Sequence, residues 1–136
     1  MASPLLEQLV AVQVMAHLDE ILVERGVLLR RRYDTLAQAL ADYLPDWRWS
    51  PPAGGLVIWT ELPQPMSTSL AIDPRRHGVQ LTPGPRFGAA HLLERFVRLP
   101  FTEAPDRLEG AIMILARLTP KAVSLTDEDQ AVHYVA

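Results

Sequence analysis

Between Leu5 and Met15 the chain sets Leu5, Leu6, Leu9, Val10, Val12, Val14 and Met15 around every side of a helix and leaves almost no polar face. Ser3 and Pro4 supply an N-cap and a first helical residue. A helix of this kind needs apolar neighbours on more than one side. A break is expected between Ala16 and Asp19, with Asp19 as cap, before a long second helix runs toward Leu44. Leu22, Gly26, Leu29, Tyr33, Leu36, Leu40 and Tyr43 recur at three-, four- and seven-residue steps and mark one stripe for burial. Glycine costs about 1 kcal/mol against alanine inside a helix, so Gly26 on that stripe is read as a close approach of another backbone, the alternative being a helix that is weak there.

Beyond Pro45 the period changes from helical to alternating. Trp47 and Trp49 flank Arg48 as in a short strand, Ser50 to Gly55 reads as a turn, and Leu56 to Leu62 has the length and β-branched content of a central strand. Ser67-Thr68-Ser69 has the makings of a helix cap. Asp73 as cap and Pro74 as first residue place a second short turn that ends at Gly78. Val79 to Thr82 is expected to be a strand, stopped by the stiff loop Pro83-Gly84-Pro85-Arg86-Phe87-Gly88. From Arg95 to Phe101 a period of two turns Val97, Leu99 and Phe101 to one face and Phe96 and Arg98 to the other. Pro105 opens a last helix with Leu108, Ala111, Ile112, Leu115 and Leu118 inward, ended by Pro120, and residues 121–136, with acidic Asp127-Glu128-Asp129, read as a loosely held tail. The order predicts an α+β fold: a small, mostly antiparallel sheet with helices packed on one face and the other face left open.

Composition narrows the function classes. A length of 136 residues suits one domain. A formal charge of −3 gives no field to draw the chain to nucleic acid, and no apolar run is long enough for a bilayer. The absence of cysteine removes disulfides, thiolate metal sites and cysteine nucleophiles; a cytoplasmic, membrane-free protein without a signal peptide is expected. His17, His77, His91 and His133 lack metal-ligand spacing, so no metal site is assigned. Arg30-Arg31-Arg32 is read as lining a solvated helix face. No catalytic residue is nominated, and Lys121, the single lysine, sits after the last helix, poorly placed for covalent chemistry. Arg98 is the sharpest candidate, because a guanidinium inside a strand needs a carboxylate or phosphate to meet its fork. An internal ion pair with Glu61 or Glu94 is the competing explanation.

Four stretches in series carry a resemblance: Arg30 to Leu36, Trp47 to Trp59 with its Pro51-Pro52-Ala53-Gly54-Gly55 turn, Gly78 to Phe87, and Phe96-Val97-Arg98-Leu99-Pro100-Phe101. Together they resemble the C-terminal small domain of fold type I, pyridoxal-phosphate-dependent aminotransferases, most of all the aminotransferase-like part of GntR-family regulators of the MocR type. The resemblance implies a small domain over residues 1–120 with a tail over 121–136. Arg98 would receive the carboxylate of an amino-acid-like substrate or effector, with Arg86 and Phe87 lining the same cleft. It further implies pyridoxal phosphate in the full-length protein, held by a large domain that this chain lacks, with none bound to this chain alone. DNA would be contacted only through a winged helix domain likewise lacking, and a homodimer is expected. The over-apolar helix within residues 1–16 would face the missing domain or a dimer mate. A genuine aminotransferase and a free-standing α+β interaction module are the alternatives; Arg98 in an internal ion pair with Phe96 covered would favour the module.

Overall fold

A computed structural model describes residues 4–88 and 92–119. Two helices open the chain, α1 (Leu5–Ala16) and α2 (Leu18–Tyr43), followed by strands β1 (Arg48–Trp49) and β2 (Val57–Glu61). A single helical turn, α3 (Ser67–Leu70), a 3₁₀ turn (Pro74–His77), strand β3 (Thr82–Pro83) and a second 3₁₀ turn (Gly84–Phe87) lead to β4 (Phe96–Pro100) and the last helix, α4 (Pro105–Leu118). The four strands form one sheet in the order β1-β2-β4-β3, and every pairing is antiparallel. Helices α2 and α4 pack on one face of it, which is the α+β arrangement expected from the hydrophobic pattern.

The register explains where the core sits. Ile58 lies opposite Leu99 and Thr60 opposite Val97, so these four side chains share one face, and all are buried. Leu36 and Leu40 of α2 and Leu108, Ile112 and Leu115 of α4 close over them, joined by Trp47, Leu62, Leu70, Leu81 and Phe101. Each fully buried aliphatic side chain stabilises the fold by about 1.5–3 kcal/mol, so this layer dominates stability. The ladder between β2 and β4 is prolonged at both ends, where Leu62 N–H donates to Arg95 O (2.6 Å) and Phe101 N–H to Leu56 O (3.0 Å).

Several expectations are corrected. Helix α1 starts at Leu5 with Pro4 as its flanking residue, and Ser3 lies outside the described residues. The break falls at His17, so Asp19 stands in the first turn of α2 and caps nothing. The stripe on α2 is buried only in its second half: Leu36 and Leu40 are covered, Leu29 and Tyr33 partly so, and Leu22 and Tyr43 are exposed. A Cβ at Gly26 would meet nothing within 4 Å, so no backbone approaches there. The reason is length: 26 residues make a helix about 39 Å long, and α4, with 14, covers about 21 Å of it. Strand β3 is confined to Thr82 and Pro83, so Val79 to Leu81 are not strand; Pro83, with no N–H to give, fits an edge. Within the arginine triplet, Arg32 is half-buried and its Nη1 donates to the Thr102 carbonyl, tying α2 to the entry of α4, whereas Arg30 and Arg31 are exposed. Ser67 begins α3 instead of capping it, and the Glu94 carboxylate accepts from Thr68 N–H (2.7 Å) and O–H (2.8 Å). One expectation in this stretch holds: the turn that begins at Pro74 closes at Gly78, whose N–H donates to Arg75 O (3.2 Å) and whose φ of 78° suits glycine. Pro120 and the 121–136 tail lie outside the described residues.

Candidate functional site

The open face of the sheet is built from the alternate positions of the same strands. Arg98 is the middle residue of β4, placed opposite Trp59 on β2 and Thr82 on β3, and its neighbours Val97 and Leu99 are buried on the helical side. Burying those two fixes Arg98 outward, because a one-residue slip would exchange the faces. Arg98 is exposed and, among the described residues, makes no ion pair. The internal pair weighed from the sequence does not form: Glu61 faces Arg95 Nε at 3.7 Å, and Glu94 is taken by Thr68. Arg95 is a strap of its own, with Nη2 donating to Pro63 O at 2.8 Å.

What surrounds Arg98 is aromatic. The guanidinium carbon lies 5.3 Å from the centre of the Phe87 ring, within cation–π range. Trp59 meets Phe87 edge-on at 5.4 Å and Phe96 edge-on at 6.2 Å, both within the range of favourable T-shaped pairs. Phe96 is partly covered, whereas Trp59 and Phe87 remain 44% and 45% exposed. The structure therefore brings Phe87 to Arg98 and leaves Arg86 exposed, with no hydrogen bond or ion pair among the described residues.

Gly84 makes this delivery possible. A Cβ there would fall 2.2 Å from Leu93 O and 2.8 Å from Phe96 O, so the turn that carries Phe87 sits directly on the backbone entering β4. Neither Gly84 nor Trp59 was singled out from the sequence. Trp59 was accessible to the same alternation that exposed Arg98, since Ile58 and Thr60 are inward; the closeness at Gly84 has no signal in one sequence. Gly55, in the turn before β2, has φ 92° and serves turn geometry, whereas Gly54 has no such need.

Two hollows, about 610 and 570 Å³, lie along α2 and beside α4, and neither is lined by Arg98, Phe87 or Trp59. Among the described residues no three of His, Asp and Glu come together as metal ligands, and no helix is long and apolar enough to cross a membrane. His91, His133 and Lys121 lie outside the described residues.

No protein-family model matches the chain. Among curated proteins, an aromatic-amino-acid aminotransferase of Thermococcus litoralis is 30% identical over 92 residues, covering 66% of this chain and 22% of that protein. An LL-diaminopimelate aminotransferase of Dehalococcoides mccartyi is 31% identical over 111 residues, covering 80% and 28%. Among solved structures, the alpha-aminoadipate aminotransferase of Thermus thermophilus, in complex with N-(5'-phosphopyridoxyl)-L-leucine, superposes with a TM-score of 0.72 at 23% identity over 80% of this chain and 29% of that one. The kynurenine aminotransferase of Pyrococcus horikoshii gives 0.67 at 28% identity over 74% and 26%. The chain spans about a quarter of the length of the curated relatives it matches. With its antiparallel sheet, one covered face and this similarity in both sequence and structure, the chain is an aminotransferase-like α+β domain.

Proposed function

We propose that this chain is the small domain of a pyridoxal-phosphate-dependent aminotransferase-like protein, in which Arg98 receives the carboxylate of an amino-acid substrate or effector. One observation carries the reading: a strand-centre arginine on the open sheet face, with no acidic partner among the described residues. A guanidinium in that position offers paired N–H donors to a planar anion, and a bidentate carboxylate is its natural complement. An exposed guanidinium on the open sheet face suits a surface turned toward a cofactor held by another domain. When bound, pyridoxal phosphate supplies the electron sink for bond changes at the amino acid's α-carbon. This chain's part is to grip and orient the carboxylate, with Phe87 beside it and Arg86 at the border of the cleft. Helix α1, exposed along its whole length, is the surface for the large domain or a dimer mate.

Two parentages use such a half-site. The proteins reported above as similar are all named as enzymes, which favours an aminotransferase. The four stretches quoted from the sequence favour a GntR-type regulator of the MocR kind, in which Arg98 would hold an effector and DNA would be met only by a separate winged helix domain. A winged helix–turn–helix encoded ahead of a cofactor domain in the same reading frame decides for the regulator; its absence there decides for the enzyme. The free-standing module is disfavoured by the exposed Arg98, which has no ionic partner among the described residues.

Carboxylate binding is tested on the chain itself by following the Arg98 Nε–H resonance during titration with 3-phenylpropionate, against sodium chloride at equal ionic strength. A saturable shift with Kd on the order of 10 mM, the size that charge-assisted hydrogen bonds alone supply, and its loss in Arg98→Gln are expected. A response no different from that to chloride overturns the reading.

A further inference from the structure

Exposed arginine side chains normally sample many rotamers, and immobilising one on binding costs affinity. Arg98 is not left in that state. Its guanidinium lies over the Phe87 ring at 5.3 Å, and that ring is itself held edge-on by Trp59 at 5.4 Å. Trp59 is anchored in turn by its place opposite Arg98 in the β2–β4 ladder and by its edge contact with Phe96 at 6.2 Å. The Phe87 turn is fixed to the backbone of β4 through the close approach at Gly84. Every member of this chain of contacts is therefore referred back to β4, the strand that carries Arg98. Trp59 and Phe87 are both exposed and neither belongs to the buried core. A guanidinium held over a ring also presents its N–H groups at its edge, where a planar anion can take two of them at once.

We propose that Phe87, buttressed by Trp59, is a positioning residue that pre-organises the Arg98 guanidinium for bidentate capture of a carboxylate. The proposal rests on Arg98 being the carboxylate receptor and adds what sets its geometry: the π-face of residue 87, and not merely its bulk. Leucine keeps most of the apolar volume and removes the face; tyrosine keeps the face.

The test compares Phe87→Leu and Phe87→Tyr with the parent in the same 3-phenylpropionate titration. In the parent and in Phe87→Tyr, the Arg98 side-chain protons resonate upfield through the ring current, and the two bind the probe alike. In Phe87→Leu the upfield shift vanishes and affinity falls about 2- to 5-fold, the factor that one exposed cation–π contact provides. Trp59→Leu, which leaves Phe87 in place without its buttress, shrinks the upfield shift and weakens binding in the same direction; it carries the test if Phe87→Leu does not fold. Parental affinity in a folded Phe87→Leu, or in Trp59→Leu where that variant stands in, overturns the positioning role and leaves Arg98 as receptor untouched. A parent that does not respond to the probe overturns the receptor reading, and the positioning role with it.

Discussion

A methyl group at position 84 would stand 2.2 Å from one backbone carbonyl oxygen and 2.8 Å from another, with Leu93 and Phe96 as their owners. Side chains can rotate out of such a clash; backbone cannot, so the Gly84–Phe87 turn would have to lift off β4. Gly84→Ala is expected to destabilise the chain by about 1–3 kcal/mol, the range for overpacking a filled site, read as a lower urea midpoint at unchanged slope. It should also move the Arg98 side-chain protons, because the same turn carries Phe87. Gly54→Ala is the control: its Cβ would meet nothing within 4 Å and its φ is not in the left-handed region, so it should fall within about 0.5 kcal/mol of the parent. At this scale the sequence told part of the story. The outward direction of Arg98 follows from Val97 and Leu99 by alternation alone, but which acid pairs with which base does not. Glu61 and Glu94 were equal candidates for Arg98 in the linear chain, and only folding shows one facing Arg95 and the other capping Thr68.

Helix α2 shows how far periodicity reaches at the level of whole elements. Its stripe was identifiable from Leu22 to Tyr43, since spacing reports which face is apolar; it does not report whether anything lies against that face. The five-residue strands and the 14-residue α4 extend over only part of a 26-residue helix, and the first half of α2 runs beyond them. Strand β4 (Phe96–Pro100) and helix α4 (Pro105–Leu118) fall close to their expected spans because the buried layer runs along one face of each, through Val97 and Leu99 and through Leu108, Ile112 and Leu115. Strand β3 was overestimated, since the span of an edge strand depends on its neighbour and not on its own residues. Gly26 follows from the same geometry. It sits in the interior of α2 with open space where a Cβ would go, so nothing offsets its helix-breaking cost. Gly26→Ala is expected to stabilise the helix by up to about 1 kcal/mol, seen as increased helical ellipticity and slower amide exchange between Leu22 and Arg30. A loss of stability would show that a partner surface approaches position 26 in solution.

For the molecule as a whole, the unbalanced feature is the N-terminal arm. No residue of α1 is buried, and Leu5, Leu6, Leu9, Val10, Val12 and Met15 are each more than half exposed, with Leu22, Val23 and Val27 continuing the apolar surface onto α2. Isolated helices of about 12 residues are marginal in water, so α1 needs contacts that the core does not supply. Contiguous apolar surface of this kind is a mark of an interface. In the proposed parent protein the large domain or a dimer mate covers it; in solutions of this chain alone the available apolar surface is another copy. The chain is therefore expected to self-associate at tens of micromolar in sedimentation velocity. Replacing Leu6, Leu9 and Val10 with glutamate should yield monomer and, compared at concentrations below the association range so that self-association does not add to the parent's stability, leave the urea midpoint unchanged, because none of the three contributes to the buried layer between α2, α4 and the sheet. A parent chain that remains monomeric at 100 µM would sink the interface assignment. A triple variant that loses core stability would show instead that α1 folds back onto its own domain in solution.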